Sequence, residues 1–155
     1  MLTDEIFMLD PVSEREIDFA LLSALYVSKA FRSFVIKGAI GSDEDHTFIR
    51  ARLSDWDGGR ETDVLLIVEL EDGTKLAIMI EDKISAPFQP DQAGGYRERG
   101  LRGVRDDRWH NSVACLCAPE AYIQSAKLYR RACATGRGCS LITALATSQP
   151  IWPNG

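Results

Sequence analysis

Apolar residues along this chain follow two rhythms, one of three to four residues and one of two, and the changes between them mark out its elements. In SEREIDFALLSALYVSKAFRSFVI, Ile17, Leu21, Ala24, Leu25 and Ser28 recur at helical spacing, which puts one largely apolar stripe against the rest of the protein. Ser13 and Glu16 have the spacing of a capping box, each side chain satisfying a backbone donor, so a single helix is predicted to start near Glu14. Residues 38 to 61 mix glycine, acids and short apolar groups. There FIRARL alternates as a short strand and SDWDGG reads as a loop. His46 and Trp56, in or beside these segments, read as packing or surface residues.

The rhythm then becomes that of strands. ETDVLLIVELEDGTKLAIMIEDKI holds two runs rich in Val, Ile and Leu around Asp72-Gly73, the signature of a β-hairpin. Pro90 suits the first turn of a helix through PDQAGGYRERG, although Gly94 and Gly95 each cost it about 1 kcal/mol relative to alanine. SVACLCA reads as a further strand, and EAYIQSAKLYRRAC as a last helix with Ala121, Ala126 and Leu128 turned inward. The predicted order is α, β, β, β, α, β, α, an α/β fold over residues 1–135. From Gly136 the run GRGCSLITALATSQPIWPNG lacks a period and is expected to be an irregular tail, residues 136–155.

Composition narrows this picture. A chain of 155 residues, 45% hydrophobic, can bury one core but is short for two domains. No stretch approaches the roughly 18 apolar residues of a membrane span, and the first residues are acidic, so no membrane partner and a cytoplasmic location are expected. The net charge of -5 argues against coating nucleic acid by charge alone. Five arginines nevertheless fall in RERGLRGVRDDR, where Arg97, Arg99 and Arg102 are candidates for phosphate contact; a solvated helix end balanced by nearby acids is the plainer alternative. The four cysteines follow no usual zinc spacing, and free thiols are expected.

The chemistry concentrates at one end of the hairpin. Carboxylates are seldom buried without cause, yet Asp63 and Glu81 close two apolar strands, and strand alternation places Glu81 and Lys83 on one face with Asp82 on the other. A two-residue Asp72-Gly73 turn would set Asp63 opposite Asp82. A three-residue loop, Glu71-Asp72-Gly73, would set Asp63 opposite Glu81, with Cβ atoms about 5 Å apart, close enough to share a divalent cation. The three-residue loop is the expectation. Lys83 would then stand beside that cation, suited to offset charge on a phosphoryl oxygen; a strand-end ion pair is the simpler alternative.

The residues ETD, EDKI and QAGGY resemble the D, E-x-K and Q-x-x-x-Y signatures of the PD-(D/E)XK nuclease superfamily. The longer run EDKISAPFQPDQAGGY is similar to the corresponding stretch of its exonuclease-related branch. The resemblance covers roughly Glu14 to Cys117. It implies a restriction-endonuclease-like αβββαβ core whose mixed sheet is flanked by helices, and a Mg2+- or Mn2+-dependent nuclease acting on DNA more than RNA. Metal ligation by Asp63 and Glu81, catalytic duty for Lys83, and Gln92 and Tyr96 turned toward the site follow from the same resemblance. It also implies a first-helix glutamate near the metal, for which Glu14 and Glu16 compete; Glu14 is favoured, because Glu16 is engaged in the cap. Thr62 stands where the family usually has proline. A catalytically silent binding or regulatory module in a DNA defence or repair assembly is the alternative function, and a homodimer or association with other subunits fits either one.

Overall fold

A computed structural model describes residues 12–57, 60–84, 92–118, 122 and 142–146. The first helix starts where its cap predicts: α1 spans Glu14–Val27, with Ser13 and Glu16 forming the reciprocal capping box. The expected single helix is two. Ser28 adopts an extended backbone (φ -121°, ψ 109°), ends α1, and caps α2 (Lys29–Ile40) by accepting a hydrogen bond from the Phe31 N–H. The apolar stripe runs through this break, but a serine hydroxyl that satisfies an orphan donor favours a new helix start over continued winding. The two helices bend by 112°, and no single helix among the described residues is long and apolar enough to cross a membrane.

Five strands form one mixed sheet in the order β1-β2-β3-β4-β5, so the protein is α/β. These are β1 (His46–Asp57), β2 (Arg60–Leu70), β3 (Lys75–Asp82), β4 (Asn111–Cys117) and β5 (Ile142–Ala146). β3 and β4 run parallel, joined by a crossover through α3 (Gln92–Arg105); the other neighbours are antiparallel. β1 is longer than FIRARL and absorbs the SDWD expected in a loop, with Ser54 at a positive φ of 50° and Trp56 66% exposed on the strand. His46 is buried, with Arg32 donating to its ring, so it is a packing residue. β5 falls inside the stretch expected to be irregular and pairs with β4, which corrects that expectation for residues 142–146. Pro90 and the predicted last helix, including Ala121, Ala126 and Leu128, lie outside the described residues, apart from Tyr122.

The hairpin register is the one that the three-residue loop demands. Val64 pairs with Ile80, Leu66 with Ile78 and Val68 with Leu76; Leu70 and Thr74 close the loop, and Gly73 sits at a φ of 81°, where a side chain is disfavoured. This register sorts the strands onto two faces. Val64, Leu66, Val68, Leu76, Ile78, Ile80, Val113 and Cys115 meet Leu25, Val35 and Ile36 of α1 and α2 in the larger core. Leu65, Ile67, Ala77, Met79 and Ala114 meet Tyr96 of α3 and Trp109 in the smaller one. Cys117 packs against the larger core, and Cys115 and Cys117 are free thiols, as expected.

One residue in β1 breaks the alternation. Phe48 pairs with Val68 but Arg50 pairs with Ile67, so Ile49 is the extra residue of a bulge. Phe48 therefore packs on the larger core, while Arg50 and Arg52, opposite Ile67 and Leu65, face the α3 side.

Candidate metal and catalytic site

The site forms where β2, β3 and the start of α1 converge. Continuing the hairpin register by one pair sets Asp63 opposite Glu81, as the three-residue loop requires. Their side chains nonetheless take different partners. Asp63 Oδ2 accepts from the Asp82 N–H at 3.1 Å. Glu81 accepts from Lys83 Nζ at 2.5 Å, from Gln92 Nε2 at 2.5 Å and from the Tyr96 hydroxyl. Gln92 and Tyr96, one turn apart on α3, thus both turn toward the site and converge on a single carboxylate, as the sequence implied.

Among the described residues, the three carboxylates whose oxygens lie within 4.8 Å of one another are Asp18, Asp63 and Asp82. The expected set of Glu14, Asp63 and Glu81 is therefore not the one drawn together; only Asp63 belongs to both. Asp82 does lie on the opposite face from Glu81, but Asp63 and Asp18 meet it there. The physical reason is at the end of β2, where the recorded β2–β3 pairs stop at Val64 and Ile80. Beyond that pair β2 stays in register with β1 as far as Arg60, Thr62 is reached by Arg99 from α3, and the Asp63 carboxylate takes the Asp82 N–H. Glu14 also arrives at the site: its Oε1 accepts from the Ile84 N–H at 3.0 Å, whereas Glu16 remains in the cap.

Burial makes this cluster costly. Asp82 is 1% exposed, and neither of its carboxylate oxygens has a hydrogen-bond partner among the described residues; the same is true of Asp18 Oδ1. The only opposing charge on Asp18 among the described ion pairs is Arg15, at 3.8 Å. Burial, then a proton shared with the Asp18 carboxylate and that group's charge, with Asp63 and Glu14 adding, push the Asp82 pKa up to about 9. Asp63 is pushed up to about 7, first by burial and then by the Glu81 charge. Burial works against the charge of Lys83, but the ion pair with Glu81, with Glu14 and Asp63 adding, outweighs it and raises the pKa above the ordinary lysine value. Burial and the facing Glu81 also raise the Tyr96 phenol, so it stays protonated and donates.

No family model matches this chain, and no curated protein or solved structure is significantly similar to it. The site therefore rests on its own geometry. Buried carboxylate oxygens without donors need either a shared proton or a cation. An all-oxygen donor set fits a hard divalent ion such as Mg2+ or Mn2+ better than one that prefers sulfur or nitrogen.

Of the arginines expected at phosphates, Arg97 is exposed on α3, and Arg102 is partly buried. Arg99 is not on that surface: it is 3% exposed, its guanidinium lies 5.1 Å from the Tyr96 ring centroid, and it donates to Thr62. It steadies the strand end and the tyrosine that holds Glu81. Asp18 was missed in the sequence, yet its signal is there: Glu14, Asp18, Leu21 and Leu25 continue one helical stripe, which places Asp18 one turn beyond Glu14 on the sheet-facing side.

Proposed function

We propose that this protein is a Mg2+- or Mn2+-dependent nuclease that hydrolyses phosphodiester bonds, DNA more than RNA, on a fold of the restriction-endonuclease-like type. The observation that carries the reading is the buried acidic triad with donor-less oxygens beside a lysine. Asp18, Asp63 and Asp82 would hold the cation, with Glu14 adjacent. When bound, such a cation polarises a phosphoryl oxygen and makes a coordinated water acidic enough to attack. Lys83 keeps its proton and offers an ammonium to the negative charge that builds on the phosphoryl group. Glu81 positions that ammonium. Gln92 and Tyr96 fix Glu81, and Arg99 packs behind them, so the polar groups are held in place before substrate arrives.

The test is cleavage of plasmid, single-stranded DNA and RNA by purified protein in Mg2+ or Mn2+, beside Asp63→Asn. The substitution is expected to reduce turnover beyond the roughly 10- to 100-fold that loss of an outer-shell partner costs a metal site. Equal rates in the two proteins would overturn the proposal.

One observation favours a second reading, a silent binding module. Glu81 already has three donors, from Lys83, Gln92 and Tyr96, and this satisfied arrangement would also suit a site that binds without turnover. Calorimetric binding of Mn2+ together with intact substrate would select it.

A further inference from the structure

Away from the acids, the sheet face shared with α3 is only partly covered. The small core beneath α3 draws on β2, β3 and β4, while β1 projects Arg50 and Arg52 onto the same side beyond it. A recess of about 280 Å³ opens there. Arg50, Arg52, Lys75 and Arg108 line it against a single acid, Asp55, in a chain whose net charge is -5. Lys75 also faces Glu69 across the hairpin, and Arg52 lies 3.4 Å from Asp55, which offsets part of this positive charge.

The Ile49 bulge is what puts two cations on this side. Were the same sequence paired without a bulge, Arg50 and Arg52 would share the face of Phe48 and point into the larger core. Ile49 itself lines the recess and is 42% exposed, an apolar step among the charges. Arg52 stands opposite Leu65, about 7 Å along β2 from Asp63.

We infer that this recess is a strand-binding subsite, in which Arg50, Arg52 and Arg108 hold consecutive phosphates of a single-stranded nucleic acid and Ile49 supports an unpaired base. The polymer's identity rests on the nuclease reading; the recess and its charge do not. A single strand is the occupant because an unpaired base brings to the exposed Ile49 an apolar face that a duplex keeps stacked inside. Arg97 and Arg102 on α3 are not part of this lining.

The experiment is fluorescence anisotropy of a labelled oligothymidylate across a salt series with EDTA present, so that binding is read without turnover. Arg50→Ala/Arg52→Ala, at two exposed positions, is expected to weaken binding at least about 10-fold. It should also flatten the log–log salt slope by about 1.4, two phosphates at roughly 0.7 each. Arg50→Lys/Arg52→Lys should keep the slope. Unchanged affinity and slope in the alanine variant, absence of binding by the unsubstituted protein, or preference for duplex would each overturn the inference. Binding with these properties but no cleavage in Mg2+ would sink the nuclease reading alone. Metal-dependent cleavage with binding indifferent to Arg50 and Arg52 would sink the recess alone.

Discussion

The two faces of the central sheet are built on different terms. Against α1 and α2 lie closely packed aliphatic side chains, with Leu66, Ile78, Val64 and Val68 fully covered. Against α3 lies a thinner core around Met79, Tyr96 and Trp109, shared with a buried arginine and a carboxylate holding three donors. Apolar burial is non-directional and tolerates no waste of volume, so the first face supplies stability. Directional groups need fixed neighbours, so the second face has exchanged apolar area for placement. The acidic triad sits where these regimes meet, where β2 and β3 part from each other beyond Val64 and Ile80.

The largest way to break this contrast is Ile78→Ala. It should cost about 2–5 kcal/mol in urea unfolding by opening a cavity in the α1/α2 core, while cation affinity of the folded protein, read by calorimetry, stays near its original value. An equal loss of cation binding would show that the two faces are one cooperative unit.

Gly103→Ala probes the other face. A Cβ at this position would run into the Trp109 ring, whose indole N–H donates to the Gly100 carbonyl at 3.0 Å. Overpacking of about 1–3 kcal/mol should outweigh the roughly 1 kcal/mol that alanine offers a helix, and tryptophan fluorescence should shift with it. A gain in stability would mean that Trp109 is free to move aside.

The smallest effect concerns protons. The pKa values of Asp63 and Asp82 are raised above the unfolded carboxylate value of 3.8, so the folded chain binds protons that the unfolded chain releases. That contribution is complete at low pH and is lost as pH climbs through about 7 and about 9. In chelator, Tm should fall steadily between roughly pH 5 and roughly pH 9. Asp82→Asn should flatten that slope, and saturating Mg2+ should oppose it by stabilising the charged form. A metal-free Tm that rises across this interval would contradict the pKa directions.

Much of the fold was legible because local and global signals agree. Asp72-Gly73 between two Val-, Ile- and Leu-rich runs announces the hairpin, and the demand that Asp63 and Glu81 share a face selects the loop that is observed. Ser13 and Glu16 announce the start of α1. The break at Ser28 was hidden, since an apolar stripe continues through it and only the serine's hydrogen bond marks the new start. The full length of β1 was hidden by its acids and by the positive φ at Ser54. At the site, Gln92, Tyr96, Glu14 and Lys83 were reached by motif and helix geometry. The grouping of Asp63 with Asp18 and Asp82 was not, because it depends on how a strand end turns beneath a helix. Arg99 looked like a surface cation in a run of arginines; its burial is a tertiary fact.

The bulged residue in β1 also sets a reading frame for that strand. Deleting Ile49 alone would restore an unbroken ladder and leave Phe48 and Arg50 on the faces they hold now, whereas deleting one residue farther along, such as Ala51, would exchange the outward and inward sets on one side of it. Tolerance to loss of a single residue along this strand should therefore peak at the bulge.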